Sequence, residues 1–260
     1  MAQFIKSREN DKIKNFIKLR DKAAFRKEHK LFTVEGLKLC LDIAAVLQPI
    51  ETYCTQDVLE AEREIELLPG EHYIVSDDVA EKISEVKSPQ GLFCVFERTE
   101  CEINDIIKGS YVILENVQDP ANVGTILRSA AAFGYKGAIL CGACADVYSG
   151  KALRASMGAI LRLDIIIGST VAQTVAQLKK CGITSFAACL ENSVPLLSID
   201  ALTVGNVGIV IGNEGKGLTS EAIEACDKAV RIPISSKVES LNAAAAASGL
   251  LWHFKGGELV

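Results

Sequence analysis

The chain has 260 residues, 49% of them hydrophobic, 6% aromatic and 23% charged, with a net charge of −5. That length suits one large domain or two modest ones, and the composition suits a core of Ala, Val, Ile and Leu. No uncharged apolar run reaches the roughly 18 residues a transmembrane helix needs, and the opening MAQFIKSREND lacks the apolar centre of a secretory signal. A cytoplasmic protein with no membrane partner is therefore expected.

The first thirty residues hold ten Lys/Arg against Glu9, Asp11, Asp21 and Glu28, a local +6 that leaves −11 for the remainder. A basic arm on an acidic body suggests a polyanion partner reached through one end; a solvated helix face explains the charge equally well. NDKIKNFIKLRDKAAFRKE predicts one basic helix, LFTVEG a strand, GLKLCLDIAAVL an amphipathic helix and PIETYCT a strand. DVLEAEREIELL predicts a helix, HYIVS a strand, DDVAEKISEV a helix and GLFCVFE a strand. This is a small alternating domain over residues 1–100. The polar stretch around 101–110, within RTECEINDIIKGS, is the candidate linker.

From Tyr111 the strands become more apolar: YVILENV, KGAILCG, LDIIIGS, ITSFAACL and VGIVIGN. Helical text lies between them, in ANVGTILRSAAAFG, SGKALRASMGAI, TVAQTVAQLKKCG and LTSEAIEACD. Continuous apolar strands alternating with helices predict a parallel sheet covered on both faces, with ligands beyond the carboxyl ends of the strands. Three strands end in polar or Gly-rich text: ENVQDPANVG, GNEGKG and IPISSKVESLN. Nine cysteines read best as reduced, buried small residues, and Cys141-Gly-Ala-Cys144 has no second half to make a metal or redox site.

IGNEGKGL is neither a dinucleotide fingerprint nor a P-loop, since Glu214 stands at the second Gly of the first pattern and Gly217 follows Lys216 in place of Ser/Thr. A carboxylate there suits a neutral or cationic ligand; the loop also reads as a plain Gly-rich turn. Asn122 could cap its helix, and Arg128 could be a surface charge. Ser240 is a natural N-cap for the run Ala243–Ala247. Such a run buries little area but permits close approach of a neighbour, either at an interface or against the sheet.

DPANVGTILRSAAAFG, GNEGKGL and IPISSKVESLNAAAA, in this order and spacing, resemble the three motifs of the SpoU/TrmH family. These are RNA 2′-O-ribose methyltransferases of the trefoil-knotted SPOUT class. The resemblance covers residues 111–254, and the part before it looks like the family's small substrate-binding domain, similar to ribosomal proteins of the L30e type. It implies an α/β protein: a C-terminal trefoil-knotted methyltransferase domain with a parallel sheet at 111–260, and an L30e-like α/β domain at 1–100.

Carried over by the resemblance, Asn122 and Arg128 are the first-motif pair, Glu214 the second-motif acid, and Ser240 and Asn242 the third-motif pair. S-adenosylmethionine would be the methyl donor, against backbone at Gly212, Ile232 and Leu241, with no metal. Ser236 stands where family members often have Gly, which bears on the local loop. The implied partners are RNA, ribosomal favoured over transfer RNA, and a second copy of the chain joined through the knotted domain. The charge split adds Lys12, Lys14 and Lys18 as RNA contacts. A non-catalytic RNA-binding protein that keeps the fold is the alternative class.

Methyl transfer to a ribose hydroxyl is an in-line displacement in which positioning alone can contribute roughly 7–11 kcal/mol. His29, His72 and His253 all lie outside the motifs. Arg128 is read either as a base activated by a substrate phosphate or as a phosphate clamp, and a guanidinium effectively never deprotonates. Glu214 is expected to anchor its loop and not to act as the base.

Overall fold

The computed structural model describes residues 3–168 and 170–255. Ser169, the last letter of the strand read as LDIIIGS, and residues 256–260 of the second domain lie outside the described residues. The chain divides into two compact units, Met1–Thr99 with Tyr148–Arg154, and Glu100–Val147 with Ala155–Val260.

The first unit runs β1 (Gln3–Ile5), α1 (Asp11–Asp21), α2 (Ala23–His29), β2 (Leu31–Glu35), α3 (Leu37–Ala44), β3 (Glu51–Cys54), α4 (Gln56–Ala61), β4 (Glu71–Val75), α5 (Asp77–Ile83) and β5 (Leu92–Glu97). The strands form a mixed sheet in the order β1-β4-β3-β5-β2, with β2 and β3 antiparallel to β5. The edge strand β1 is too short to show a period, and it is held by its parallel register with β4, Gln3 opposite Tyr73.

The first thirty residues are no arm. α1 turns Ile13, Phe16 and Leu19 into the core, where Phe16 meets the Tyr53 and Phe93 rings edge-on at 5.4 and 6.0 Å. The single helix expected there is two, because the chain is extended at Lys22. The breaker is a side chain: buried Arg26 donates from Nη1 to the carbonyls of Leu19 and Arg20 at 2.6 and 2.7 Å. Those are last-turn carbonyls that a helix end leaves without partners.

The second unit opens with β6 (Tyr111–Glu115), α6 (Pro120–Ala132) and β7 (Gly137–Cys141). Next, α7 (Gly150–Ser156) begins in the segment that belongs to the first unit. The remainder is β8 (Asp164–Gly168), α8 (Val171–Lys180), β9 (Thr184–Ala188), β10 (Val194–Pro195), α9 (Ala201–Val204), β11 (Val207–Ile211), α10 (Ser220–Ala225), β12 (Lys228–Arg231) and α11 (Ala243–Lys255). The sheet is parallel throughout, in the order β10-β12-β9-β11-β6-β7-β8. Strands β6, β7 and β11 are buried along their whole length, as their continuous apolar text predicts.

The stretch read as a linker is folded onto this sheet. Cys101 N–H donates to the Ile165 carbonyl at 2.8 Å, Ile106 is buried, and residues Ile103–Asp105 form a 3₁₀ turn closed by a capping box between Glu102 and Asp105.

In the first unit, the segment Tyr148–Arg154 buries the Tyr148 ring against Phe32, centroids 4.9 Å apart, with the Arg98 guanidinium 4.5 Å from the Tyr148 centroid. Arg154 closes an ion pair with Glu85 at 2.6 Å.

The alanine run divides by helical phase. Ala244 and Ala247 are buried, while Ala245 is exposed. α11 packs on α6 and β11, and the Ser129 and Ser248 hydroxyls meet at 2.8 Å between the two helices. Small residues allow that close approach. Ala247→Leu is expected to overpack the contact and cost roughly 1–3 kcal/mol, whereas Ala245→Leu should leave thermal unfolding nearly unchanged. Calorimetric melting of both variants checks this.

Candidate functional site

Strands β12, β9 and β11 are neighbours, and their carboxyl ends open together into a cavity of about 530 Å³. Its walls come from the β9 exit at Ala188–Glu191, the loop from Ile211 to Leu218, the β12 exit at Val230–Ile232, and Ser240, Leu241 and α11. A second, more open cavity of about 690 Å³ adjoins it, lined by Gln118–Pro120, Asn122 and Asn242. Glu214, Ser240, Leu241 and Ala243 line both. Ligand sites in such sheets lie beyond the carboxyl ends of strands, and clefts of about 300–1,000 Å³ take ligands of cofactor size.

The loop after β11 is built around Asn213. Its Oδ1 accepts the N–H groups of Gly215 and Lys216, both at 3.0 Å, and its Nδ2 donates to the Asn116 carbonyl at 2.8 Å. Asn213 and Gly217 exchange backbone hydrogen bonds at 3.0 and 2.9 Å, so Gly212 lies directly against backbone. A Cβ on Gly212 would stand 2.4 Å from Gly217 C and Leu218 N. At the far end of the loop, buried Glu115 of β6 accepts from Thr219 N–H and Oγ1, both at 2.8 Å.

Glu214 returns the connection. Its carboxylate accepts from the N–H groups of Gln118 and Asp119 at 3.2 and 3.0 Å and from Asn122 Nδ2 at 3.0 Å. Asn122 Oδ1 in turn accepts from Asn242 Nδ2 at 3.1 Å, and Asn242 Oδ1 accepts from the N–H groups of Ala244 and Ala245 at the start of α11. Three residues from three motifs thus form one relay, Glu214–Asn122–Asn242, ending on a helix N-terminus.

Partial burial pushes the Glu214 carboxyl up, but the donors from Asn122 and the backbone of Asp119 and Gln118 outweigh it, and the net shift is downward. A carboxylate so held is a poor proton acceptor near neutral pH.

Two cap assignments change. Asp119 caps α6, accepting from Ala121 N–H at 3.0 Å, and Asn122 lies inside the helix where its amide is available for the relay. Asn242, not Ser240, caps α11, and Ser240 lines both cavities.

Gly212, Ile232 and Leu241 all line the cofactor-sized cavity. Ser236 does not need glycine's freedom, since among the described residues positive φ outside glycine occurs at Lys30, Asn116, Met157 and Asn192. The β9 exit, Ala188–Glu191, lines the cavity but was not singled out from sequence; its text, ACLE, carries no Gly or Pro signal.

Arg128 is not brought into the relay. It lies six residues beyond Asn122 on α6, about 9 Å along the axis and some 240° around it. It is exposed and lines neither cavity, and it makes no hydrogen bond or ion pair among the described residues.

The three lysines of the first unit differ. Lys12 Nζ pairs with Glu51 at 2.5 Å and Glu71 at 2.8 Å. Its burial would lower the ammonium pKa, but those two carboxylates raise it well above the ordinary lysine value. Lys12 is therefore already neutralised within its own unit. Lys14 pairs with Glu9 at 3.1 Å, and Lys18 lies 5.5 Å from the Phe25 ring centroid.

The CxxC thiols are hydrogen-bonded separately, Cys141 Sγ with Thr174 Oγ1 and Cys144 Sγ to the Leu114 and Cys141 carbonyls. Burial pushes Cys141 up to about 11 and raises Cys144 as well. Among the described residues no His/Cys/Asp/Glu cluster could hold a metal ion, and no helix is long and apolar enough to cross a membrane.

A family model described as the SpoU rRNA methylase family matches residues 109–252, and one described as an MRM3-like substrate binding domain matches residues 10–94. The chain is similar to the 23S rRNA (guanosine(2553)-2′-O)-methyltransferase RlmP of Bacillus subtilis, 27% identical over 252 residues, 97% of this chain and 99% of that one. It is also similar to the 23S rRNA (guanosine-2′-O-)-methyltransferase RlmB of Xanthomonas campestris, 36% identical over 135 residues, 52% of this chain and 53% of that one. Among solved structures, an AdoMet-bound rRNA methyltransferase from Sinorhizobium meliloti matches with a TM-score of 0.89 at 28% identity, covering 100% of this chain and 99% of that one.

Two predictions follow from the loops. Gly212→Ala should abolish S-adenosylmethionine binding in calorimetry, while Gly215→Ala, whose Cβ would meet Asn213 Oδ1 only at 3.7 Å, should bind normally. Glu214→Gln turns one amide donor towards groups that already donate and should cost about 1–2 kcal/mol, small because the site is exposed. The Glu214 contribution is complete above the ordinary glutamate pKa of 4.5 and is lost as pH falls through the lower folded value. Acid titration of wild type and Glu214→Gln by circular dichroism should therefore converge only below that pH.

Proposed function

The chain belongs to the SpoU rRNA methylase family, and we propose that it methylates a ribose 2′-hydroxyl of ribosomal RNA, with S-adenosylmethionine as donor. The observation that carries this reading is the Glu214–Asn122–Asn242 relay along the boundary between two adjoining cavities. One cavity is enclosed enough for a cofactor and the other is open to a polymer. The relatives named above, an AdoMet-bound rRNA methyltransferase among them, support the same assignment.

The residues present fit the methyl donor. Ile211, Leu218, Ile232 and Leu241 offer an apolar slot for a purine, and the carboxylates of Glu191 and Glu214 suit a cationic ligand. Arg231, the nearby guanidinium, is committed to the Ser193 carbonyl. When bound, S-adenosylmethionine supplies an electrophilic methyl group on sulfur.

In this reading the chain's own residues position and polarise. Gly212, Ile232 and Leu241 hold the donor through backbone. Asn122 and Asn242 fix the boundary at which the ribose oxygen must approach, and Ser240 orients the ribose from the shared wall. Glu214 locks the two loops to one another. Arg128, exposed and with no hydrogen bond or ion pair among the described residues, grips an RNA phosphate beside the site and so positions the substrate.

The fold-level readings follow from the family. Membership of the SpoU rRNA methylase family supports a trefoil knot in the second unit. A homodimer is proposed through this unit, where α11 leaves Trp252 60% exposed and the neighbouring turn leaves Leu197 80% exposed. Such bare side chains are what a partner would cover. Action on ribosomal RNA is consistent with a cytoplasmic protein.

Arg128→Ala should abolish methyl transfer and leave donor affinity within about two-fold, because Arg128 lines neither cavity. Single-turnover assays on ribosomal RNA, with donor binding by calorimetry, check both halves. Wild-type turnover in this variant would remove Arg128 from the mechanism. Mapping 2′-O-methylation in RNA from cells with and without the protein tests the function itself: unchanged ribosomal RNA would overturn it.

A further inference from the structure

The surface of the first unit carries an aromatic stack that the methyl-transfer site does not use. Phe25, on α2, packs against the unit's core, so its ring is fixed from beneath. The His29 ring lies on it in parallel, centroids 3.9 Å apart and planes 28° from parallel. A hydrogen-bond contact of 3.1 Å between His29 Nδ1 and the Phe25 carbonyl fixes the imidazole's orientation. His29 is exposed, so one face of its ring is covered by Phe25 and the other is open.

One lysine lies at this stack and two more stand at the ends of α2. Lys18 Nζ lies 5.5 Å from the Phe25 centroid. Lys22, one turn before Phe25, and Lys30, next after His29, are exposed and form no ion pair among the described residues. Glu28 is the one carboxylate between Lys22 and Lys30, and the nearby Asp21 is held by Arg20 at 2.7 Å. An open aromatic face backed by a rigid ring and flanked by free ammonium groups has the chemistry of an unpaired nucleotide: a base to stack and phosphates to neutralise.

We propose that His29, supported by Phe25, stacks an unpaired base of the RNA substrate while Lys18, Lys22 and Lys30 hold its flanking phosphates. This rests on the reading of the chain as an RNA methyltransferase and places part of substrate selection on α2. The structural device is pre-organisation: the platform is already assembled, so little ordering accompanies binding. A helix-only or duplex RNA has no splayed base to offer and gains only the phosphate contacts.

The test uses the full chain and two RNA hairpins, one with 2-aminopurine in an open loop and one with the same segment closed into duplex. His29→Ala should weaken binding to the open loop by roughly ten-fold and abolish the fluorescence quenching, with duplex binding unchanged. His29→Phe keeps a stacking ring and should restore both. Lys18→Glu with Lys22→Glu should weaken both hairpins and flatten the salt slope. Affinity for S-adenosylmethionine should be the same in all variants.

Equal quenching and affinity in wild type and His29→Ala would overturn the stack and leave the methyltransferase reading intact. An equal loss on both hairpins would also overturn it, marking His29 as a phosphate or fold contact. If the wild-type chain neither binds the hairpins nor methylates RNA, and α2 instead captures a protein, both readings fall.

Discussion

The second unit depends on an exchange of carboxylates between two loops. Glu115, at the end of β6, holds Thr219 at the far end of the β11 loop, and Glu214, inside that loop, holds the backbone where α6 begins. Each loop is therefore fixed by an acid that belongs to the other. Neither would keep its form alone, since backbone N–H groups in irregular segments need partners that no helix or ladder supplies. Both cavities take their shape from that mutual attachment. The Asn122–Asn242 bond extends it to α11, so the last helix is oriented by the same network that shapes the site.

Much of this was readable in the sequence. Continuous apolar strands announced a buried parallel sheet, and the three polar strand exits line the two adjoining cavities. The loop of Glu214 could be told from a phosphate cradle because it lacks the Ser/Thr and Gly spacing of one. What could not be read is instructive. Ser240 and Asn242 are both good N-caps two residues apart, and only three-dimensional placement chooses Asn242. Asn122 resembles a cap because Asp119-Pro120 and Asn122 all favour a helix start; the cap goes to Asp119, whose side chain reaches Ala121 N–H. The α1–α2 break has no Pro or Gly to mark it, since its cause is a guanidinium four residues downstream of the break.

Charge counting was the weakest guide. Ten cations in thirty residues suggested either a polyanion partner or a solvated helix face, yet Arg26 is spent on helix carbonyls, Arg20 on Asp21, and Lys12 on Glu51 and Glu71. A formal charge says nothing of whether its counter-ion is already present in the fold. Among the cations that remain outside ion pairs are Lys18 on α1 and Lys22 and Lys30 at the ends of α2. The β9 exit was missed for a different reason: the text Ala188–Glu191 that lines the cavity carries no Gly or Pro and no spaced polar motif to mark it.

The assignment of Tyr148–Arg154 to the first unit has a consequence for how the protein is made. A ribosome delivers chain from the N-terminus at about 5–20 residues per second, and domains generally fold as they emerge. Here the Phe32 and Arg98 surface waits for Tyr148, and Glu85 waits for Arg154, until roughly fifty further residues, among them two strands of the other sheet, have appeared. The first unit is therefore discontinuous along the message although compact in space. A gene fragment cut at residue 99 would encode a body missing one of its own pieces, and the nascent chain would hold that gap open until translation had passed well into the second unit.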